Sequence, residues 1–366
     1  MTYFLINNNY HLIDLSLHYT IMQNKDISLI QIPHTLEVLG EDDRFRNIYT
    51  FQTPFKELKN YFNPFKVKQS EKEINNQLNL SKNDTLFVYT EYELLNQYII
   101  AKFKNCGAKV YVIEEGFMTY NTYSISSDNK LNLKMKIKLF YLKYILSYEY
   151  VEFLFFNNIV FPQINEKYID GILLYFDVPI SRNIQKYMIK KVKNKIFLDE
   201  TKTIFLNEKM YDYYCTKDEH EVILHDILLN LSKLFLNVYF KFHPSETEKN
   251  INWQLEIIEH YPNIIIIKDK SPIEDILEQY NAKYIFSYFS VALLNVYAMN
   301  ATPIYIFHKY KVFSNSVVLN NVQNILKSFG YNFLKNYEEF SEVGFKSISN
   351  INKYILDDIL KLNKER

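Results

Sequence analysis

Glycine is scarce in this chain, with only six in 366 residues. Neither GxGxxG nor GxxxxGK[ST] occurs, so the glycine-rich turns that cradle dinucleotides and triphosphates have no counterpart here. Cysteine is scarcer still. Cys106 and Cys215 lie far apart and form no CxxC or zinc spacing, which excludes a disulfide framework and suits small buried residues in a reducing compartment. Net charge is missing as well: 42 Lys+Arg balance 42 Asp+Glu, so no basic surplus draws the chain to nucleic acid. No Asp-x-Asp is present, which removes the usual metal handle for nucleotide-diphosphate sugars. A long apolar run is also absent. The longest uncharged stretch, Tyr284 to Phe307, contains Ser287, Ser290, Asn295, Asn300 and Pro303. It reads as strand, helix and strand, because a membrane span needs roughly 20 predominantly apolar residues. Met1–Asn7 lacks the basic n-region and long h-region of a signal peptide, so the expected location is cytoplasmic.

What is present is a hydrophobic content of 48% and an aromatic content of 17%, ample for packed cores. At about 150 residues per domain, the length suggests two domains. Apolar runs at Thr2–Ile6, Ile27–Ile32, Thr85–Thr90 and Lys109–Ile113 alternate with helical spacing at Leu12–Gln23, Phe55–Phe62 and Leu94–Asn105. A second series opens at Thr203–Leu206. It continues through helix Glu219–Leu234, strand Val238–Phe242, helix Trp253–His260, strand Ile264–Ile267, helix Ile273–Tyr280 and strand Tyr284–Phe286. Helix Ser290–Met299 and strand Pro303–Phe307 complete it. This alternation predicts an α/β protein with parallel sheets covered on both faces. Two Rossmann-like domains facing each other, with a cleft between them, are expected. Residues 1–195 would form the first and 196–335 the second, with a helical tail, 336–366, packing back on the first.

Two motifs stand at expected strand ends, where open α/β sheets bind ligands. Glu114-Glu115-Gly116 follows Lys109–Ile113, and its glycine suits a turn needing an unusual φ/ψ. Two neighbouring carboxylates repel, which favours a base acting near neutral pH. His243-Pro244 follows Asn237–Phe242. Pro244 can open a helix at its first position, with Ser245 and Glu246 in the first turn, so that a phosphate there meets free N–H groups with His243 as proton donor. Ser271-Pro272-Ile273-Glu274 and Ser287-Tyr288-Phe289-Ser290 open two further helices, a pattern that ordinary helix caps also explain. His220-Glu221-Val222-Ile223-Leu224-His225 spaces its histidines i and i+5, which does not suit metal ligation from one helix face. The lysine–aromatic run Lys134–Lys143 is either a solvated strand or helix, or a basic surface for an anionic membrane.

Taken in order, the [DE][DE]G, HP and Ser motifs resemble those of the bacterial GT-B sialyltransferases. The chain looks most like the lipooligosaccharide sialyltransferases of glycosyltransferase family 52, which are related to the capsular polysialyltransferases. The resemblance implies an inverting, metal-independent transfer of N-acetylneuraminate from CMP-N-acetylneuraminate to a galactose-terminated surface glycan, with no cofactor. It assigns Glu115, or else Glu114, as base, and His243 as the acid at the departing CMP phosphate, positioned by Pro244. Glu274 falls where such enzymes bind the cytidine ribose, and Ser290 where they contact the donor phosphate. The family often has two adjacent serines there, whereas this chain has Ser290-Val291, so Ser287 is a candidate substitute. Gly116, Ser245 and Asn7, the last in the first strand-end loop Asn7–His11, complete the expected CMP-sugar set. The expected partners are the donor and a glycan acceptor, with no nucleic acid; peripheral contact at the inner face of the membrane and a homodimer stay open. The rivals are a Kdo transferase or polysialyltransferase, a nucleotide-sugar 2-epimerase on the same two-Rossmann plan, and a non-catalytic nucleotide- or glycan-binding module.

Overall fold

The computed structural model describes residues 1–16, 26–33, 42, 44–55, 63–91, 93–116, 119, 133–151, 153–156, 159–164, 166–176, 180, 182–189 and 197–345. The chain divides into two compact units, the first giving way to the second between Val192 and Lys193.

The first unit runs β1 (Thr2–Ile6), α1 (Asn9–Ser16), β2 (Ile27–Gln31), β3 (Asn47–Thr50), α2 (Pro64–Gln77), β4 (Thr85–Val88), α3 (Leu94–Asn105) and β5 (Lys109–Ile113). It continues with α4 (Leu133–Phe140), a π-helical turn (Tyr141–Ile145), the antiparallel hairpin β6 (Phe153–Phe156) and β7 (Ile159–Ile164), then β8 (Gly171–Leu174) and β9 (Lys186–Met188). Seven strands form one sheet in the order β3-β2-β1-β4-β5-β8-β9, every pairing parallel. Central strands of such a sheet are buried on both faces and read as continuous apolar runs. Tyr3, Phe4, Leu5 and Ile6 are accordingly all buried, and the Phe4 ring stacks on Phe87 at 4.9 Å. Gly171 has a steric reason to be glycine. A Cβ there would lie 2.6 Å from the Tyr187 ring and 3.0 Å from the Tyr111 ring.

The second unit runs β10 (Asp199–Leu206), α5 (Lys217–Leu234), β11 (Asn237–Lys241), α6 (Glu248–Ile258), β12 (Ile264–Ile267), α7 (Ile273–Tyr280) and β13 (Ala282–Ser287). Then follow α8 (Ala292–Ala298), β14 (Thr302–Tyr305), α9 (Val317–Ser328) and the antiparallel pair β15 (Tyr331–Asn332) and β16 (Gly344–Phe345). Its five-stranded parallel sheet has the order β12-β11-β10-β13-β14. A capping box between Thr216 and Glu219 starts α5. That helix buries His220, Ile223, Leu224, Ile227, Leu228 and Leu231, a single stripe at helical spacing. In both sheets the strand order reverses beside the first strand, between β1 and β4 and between β10 and β13. Those are the topological switch points, where ligands bind beyond the carboxyl ends of the strands.

Several local expectations need correction. Pro244 does not start a helix. His243–Ser245 forms a turn, with the Glu246 N–H on the His243 carbonyl, and α6 begins at Glu248, capped by Thr247. Ser245 is unavailable as a cap because its N–H and hydroxyl both turn back to the His243 ring. Residues 337–345, expected in a tail on the first domain, belong to the second unit. There Phe340 packs on Phe235 at 4.8 Å and on Tyr284 at 4.7 Å, burying aromatic surface against that unit's core. Of the two forms left open for the lysine–aromatic run, residues 133–140 take the helical one. The expected helical segments 17–23 and 56–62, and the expected tail from 346 onward, lie outside the described residues. Among the described residues no helix is long and apolar enough to cross a membrane.

Candidate functional site

The two adjacent glutamates of the first unit separate completely. Glu114 still belongs to the sheet: its N–H bonds the Leu173 carbonyl at 3.0 Å, and its side chain is 1% exposed. Its carboxylate accepts the Tyr175 N–H at 2.7 Å, so it fastens the end of β5 to the end of β8. Glu115 faces the other way, with 27% of its side chain exposed. Its Oε1 meets His11 Nε2 at 2.8 Å and its Oε2 accepts the Thr90 hydroxyl at 3.0 Å. Gly116 then takes φ +71, the left-handed conformation expected of it, and Thr119 Oγ1 accepts the Glu115 N–H at 2.8 Å.

His11 was not among the expected site residues, although it lies in the strand-end loop Asn7–His11. It is fully buried in α1, and its Nδ1 accepts the Asn7 N–H at 3.1 Å. That acceptor role leaves the ring proton on Nε2, which therefore donates to Glu115. The ring stacks on Tyr89 at 4.5 Å and 8°. Tyr89 and Tyr175 both donate to Asp14 Oδ2, at 3.0 and 2.7 Å, and burial holds both phenols far above their usual range. The imidazole is thus clamped by a buried, neutral-phenol network. Asn7 belongs to this scaffold: its amide pairs reciprocally with Asn96, at 3.2 and 2.9 Å, and Asn96 also donates to the Thr90 carbonyl at 2.6 Å. Next to Thr90, Glu91 receives a buried bidentate pair from Arg182, at 2.6 and 2.9 Å. The end of β4 is therefore fixed by side chains from α3 and from the segment before β9.

In the second unit His243 is half-buried at the end of β11. Its Nδ1 accepts from the Ser245 N–H at 3.2 Å and meets the Ser245 hydroxyl at 2.9 Å. The ring proton is then on Nε2, which has no partner among the described residues. Burial lowers its pKa first of all, with Glu246 opposing, so the ring is neutral and carries one N–H. A cavity of about 240 Å³ opens beside it, its lining combining Ile251, Leu255 and Ile266 with Lys241, Lys268 and Asp269. Lys241 is itself buried and donates to the Asp269 carbonyl at 3.0 Å.

The remaining expected residues are placed unequally. Glu274 is 3% exposed in the first turn of α7, and its Oε1 accepts the Asn295 amide of α8 at 2.5 Å. Ser287 is fully buried; its hydroxyl lies 2.8 Å from the Leu206 carbonyl and 3.1 Å from Glu208 Oε2. Ser290 is half-buried, and its hydroxyl has no partner among the described residues. Glu208, which sequence reasoning missed, sits at the β10/β13 switch point and accepts the Phe289 N–H at 2.7 Å. Its signal was an acidic residue just past a strand end, the same one that drew attention to Glu115. Among the described residues no group of three or more His, Cys, Asp or Glu could hold a metal ion.

A family model described as alpha-2,8-polysialyltransferase matches residues 4–308, a span that includes both strand-end motifs. The chain belongs to the alpha-2,8-polysialyltransferase family. It is a glycosyltransferase of the sialyltransferase type. The match falls on the polysialyltransferases, the relatives of the family 52 enzymes to which the motifs had pointed first. No curated protein matches the chain. Among solved structures it is similar to a UDP-GlcNAc 2-epimerase from Methanocaldococcus jannaschii, with TM-score 0.54 and 11% identity over 100% of this chain and 99% of that one. It is also similar to MnaA from S. aureus, solved with UDP, with TM-score 0.52 and 10% identity over 94% and 91%. MurG from Acinetobacter baumannii gives TM-score 0.50 and 10% identity over 100% and 99%. These likenesses establish the fold, two Rossmann-like domains of GT-B type, and not the substrate.

Proposed function

We propose that this polysialyltransferase-family chain transfers N-acetylneuraminate from CMP-N-acetylneuraminate to a cell-surface glycan, with inversion and without a metal ion. The family match over both strand-end motifs carries this reading. The family's description favours an acceptor that itself ends in sialic acid, joined through an α-2,8 linkage, over the galactose-terminated acceptor expected at first. Glu115 is the proposed base. It is the accessible member of its pair, and the His11 and Thr90 donors hold its carboxylate in one orientation for an acceptor hydroxyl. His243 is the proposed acid, because its unpartnered Nε2–H can meet the charge that builds on the departing phosphate. A CMP-sugar leaves as a single phosphate, which one proton or hydrogen-bond donor can stabilise.

The cavity beside His243 suits the cytosine base, since it combines apolar walls with a few polar groups. Ribose binding by Glu274 requires its carboxylate to exchange the Asn295 amide for sugar hydroxyls. Ser290 is the hydroxyl available for the donor phosphate; Ser287 is committed to the sheet. Gly116 and Pro244 shape the two turns, and Ser245 orients the His243 ring. On α4 and the turn after it, Leu133, Ile137, Phe140 and Tyr144 recur at helical spacing and are exposed, as are Lys136 and Lys143. No acidic residue occurs between Lys130 and Ser147. An exposed apolar stripe flanked by lysines supports peripheral contact with an anionic membrane.

The purified protein, incubated with CMP-N-acetylneuraminate and EDTA, should transfer sialic acid to a sialylated oligosaccharide and less well to lactose. Transfer that disappears with EDTA would remove the metal-independent mechanism. Interconversion of UDP-GlcNAc without any acceptor, with no CMP release, would replace the transferase reading by an epimerase.

A further inference from the structure

The β10/β13 switch point is where the second sheet should take its ligand, and a carboxyl group already occupies the donors there. Glu208 follows β10, and its Oε2 accepts the Phe289 N–H at 2.7 Å and lies 3.1 Å from the Ser287 hydroxyl. The N–H groups of Ser290 and Tyr288 also stabilise its charge. These groups belong to the segment 287–290, which contains the serine proposed above for the donor phosphate. Carboxylate and phosphate would therefore draw on one set of hydrogen-bond donors.

No cation among the described residues pairs with Glu208. Its chain neighbour Lys209 is engaged by Asp212 at 2.7 Å. Among the described residues, the titratable groups that sense its charge include Tyr214, on the segment after β10, and Tyr288, on the segment after β13; burial keeps both phenols protonated. A phosphate arriving beside an ionised Glu208 would thus place two anions together with no counter-charge from the protein. Two like charges in contact disfavour joint ionisation, and the carboxyl is the weaker acid partner that can take a proton. Burial already raises its pKa from 4.5 to about 7, against the pull of the backbone donors, so a proton is within easy reach.

We propose that Glu208 is a proton-coupled anchor of the donor-phosphate site: as a carboxylate it holds the segment 287–290, and it takes up one proton from solvent when the phosphate of a cytidine nucleotide binds there. This rests on the CMP-donor reading. Once neutral, the carboxyl keeps the Phe289 N–H on one oxygen and turns from acceptor to donor on the other. Donor binding then weakens as pH rises, although no group that touches the sugar has changed charge.

Calorimetry of CMP binding to the intact protein tests this, run at about pH 7 and about pH 8 in two buffers of different ionisation enthalpy. CMP is already a dianion there, since its second phosphate pKa is near 6. The wild type should take up about half a proton at about pH 7 and close to one at about pH 8, and lose roughly fivefold in affinity over that unit of pH, as linkage to one group titrating near 7 requires. Glu208→Gln, checked for folding by circular dichroism, should bind with neither the uptake nor the slope. CMP binding without proton uptake in the wild type overturns the inference and leaves the donor reading standing, whether or not the variant folds. Uptake that persists unchanged in Glu208→Gln overturns it too. Absence of CMP binding at both pH values removes the donor reading, and the inference with it.

Discussion

The two units solve the same topological problem in opposite ways. Each sheet reverses its strand order beside its first strand, and each places a carboxylate near that point. In the first unit Glu115 has a side-chain donor on both oxygens, from His11 and Thr90, and still shows a quarter of its surface. In the second, Glu208 rests on backbone N–H groups and a buried serine, while the His243 Nε2 and the Ser290 hydroxyl take no partner among the described residues. One site fixes a partly exposed carboxylate in a single orientation with two side-chain donors. The other leaves open two donors, those proposed for the departing phosphate, near a carboxyl whose pKa burial raises to about 7.

The largest effects should come from the groups proposed for the chemistry. Glu115→Gln and His243→Ala should each lower turnover at least ~10²-fold with unchanged folding, the contribution of a single general acid or base. Glu114→Gln should behave differently. It leaves a buried carboxylate–backbone bond weakened, so thermal stability should fall by about 1–3 kcal/mol and turnover by no more than the loss of folded protein explains. Wild-type rates in Glu115→Gln, or a catalytic loss in Glu114→Gln without a stability loss, would invert the assignment of the pair.

Next comes stability against pH, which reports on Glu208. The Glu208 pKa is raised from 4.5 to about 7 by burial, so its contribution to stability is fully present below about 4.5 and is lost as pH rises through about 7. The loss is on the order of 3–4 kcal/mol above about pH 8, since each pKa unit corresponds to about 1.4 kcal/mol. Glu208→Gln should therefore gain on the wild type as pH rises from about 5 to 8 in denaturant melts. A constant difference between the two proteins across that range would break the contrast. The buried His220 acts at the other end. Burial against Tyr211, Trp253 and Tyr288 lowers it from 6.5 to about 4, so stability should fall as pH drops through that window.

A smaller effect tests the clamp on the base. His11→Ala should lower kcat roughly tenfold with little change in KM, because it frees one oxygen of Glu115 without touching the donor site. His11→Gln, which keeps a donor at similar reach, should restore part of that loss. A fall in KM and kcat together, unrescued by glutamine, would make His11 a packing residue only.

How much of this was legible depends on the period of each signal. The strands of both sheets carry continuous apolar runs, so β1, β2, β5, β11 and β12 were readable, and with them the strand-end positions of Glu115 and His243. By contrast α2 was missed although Asn63-Pro64 starts it with a side-chain cap and a proline at the first turn. Its buried stripe of Val67, Ser70, Glu71 and Ile74 is half polar and does not stand out. The short strands β8 and β9 were hidden for a related reason: each is too brief to show a period, and Gly171 is required by two tyrosine rings from other parts of the chain. Helix starts failed at Pro244 because Ser245 had two uses, a cap for the helix or a partner for the His243 ring, and only folding decides between them. His11 and Glu208 lie a few residues past strand ends, but their roles come from pairings with Glu115 and Phe289 that are distant in sequence.

The weakest expected effect concerns the surface of the first unit, which has no counterpart described in the second. The α4 stripe presents Leu133, Ile137, Phe140 and Tyr144, with Lys136 and Lys143 exposed alongside. A lysine near an anionic bilayer contributes about 1 kcal/mol, so Lys136→Glu and Lys143→Glu should each weaken partitioning onto phosphatidylserine vesicles by about fivefold or more. The effect should shrink as salt is raised, because the attraction is screened within a Debye length of about 10 Å at 0.1 M. Ile137→Ser and Phe140→Ser should weaken binding on neutral and anionic vesicles alike, since they remove buried apolar area and no charge. Turnover on a soluble acceptor should not change in any of these variants, because none of them lies at either switch point. Binding that ignores both lipid charge and salt would take away the membrane contact while leaving the contrast between the two carboxylates intact.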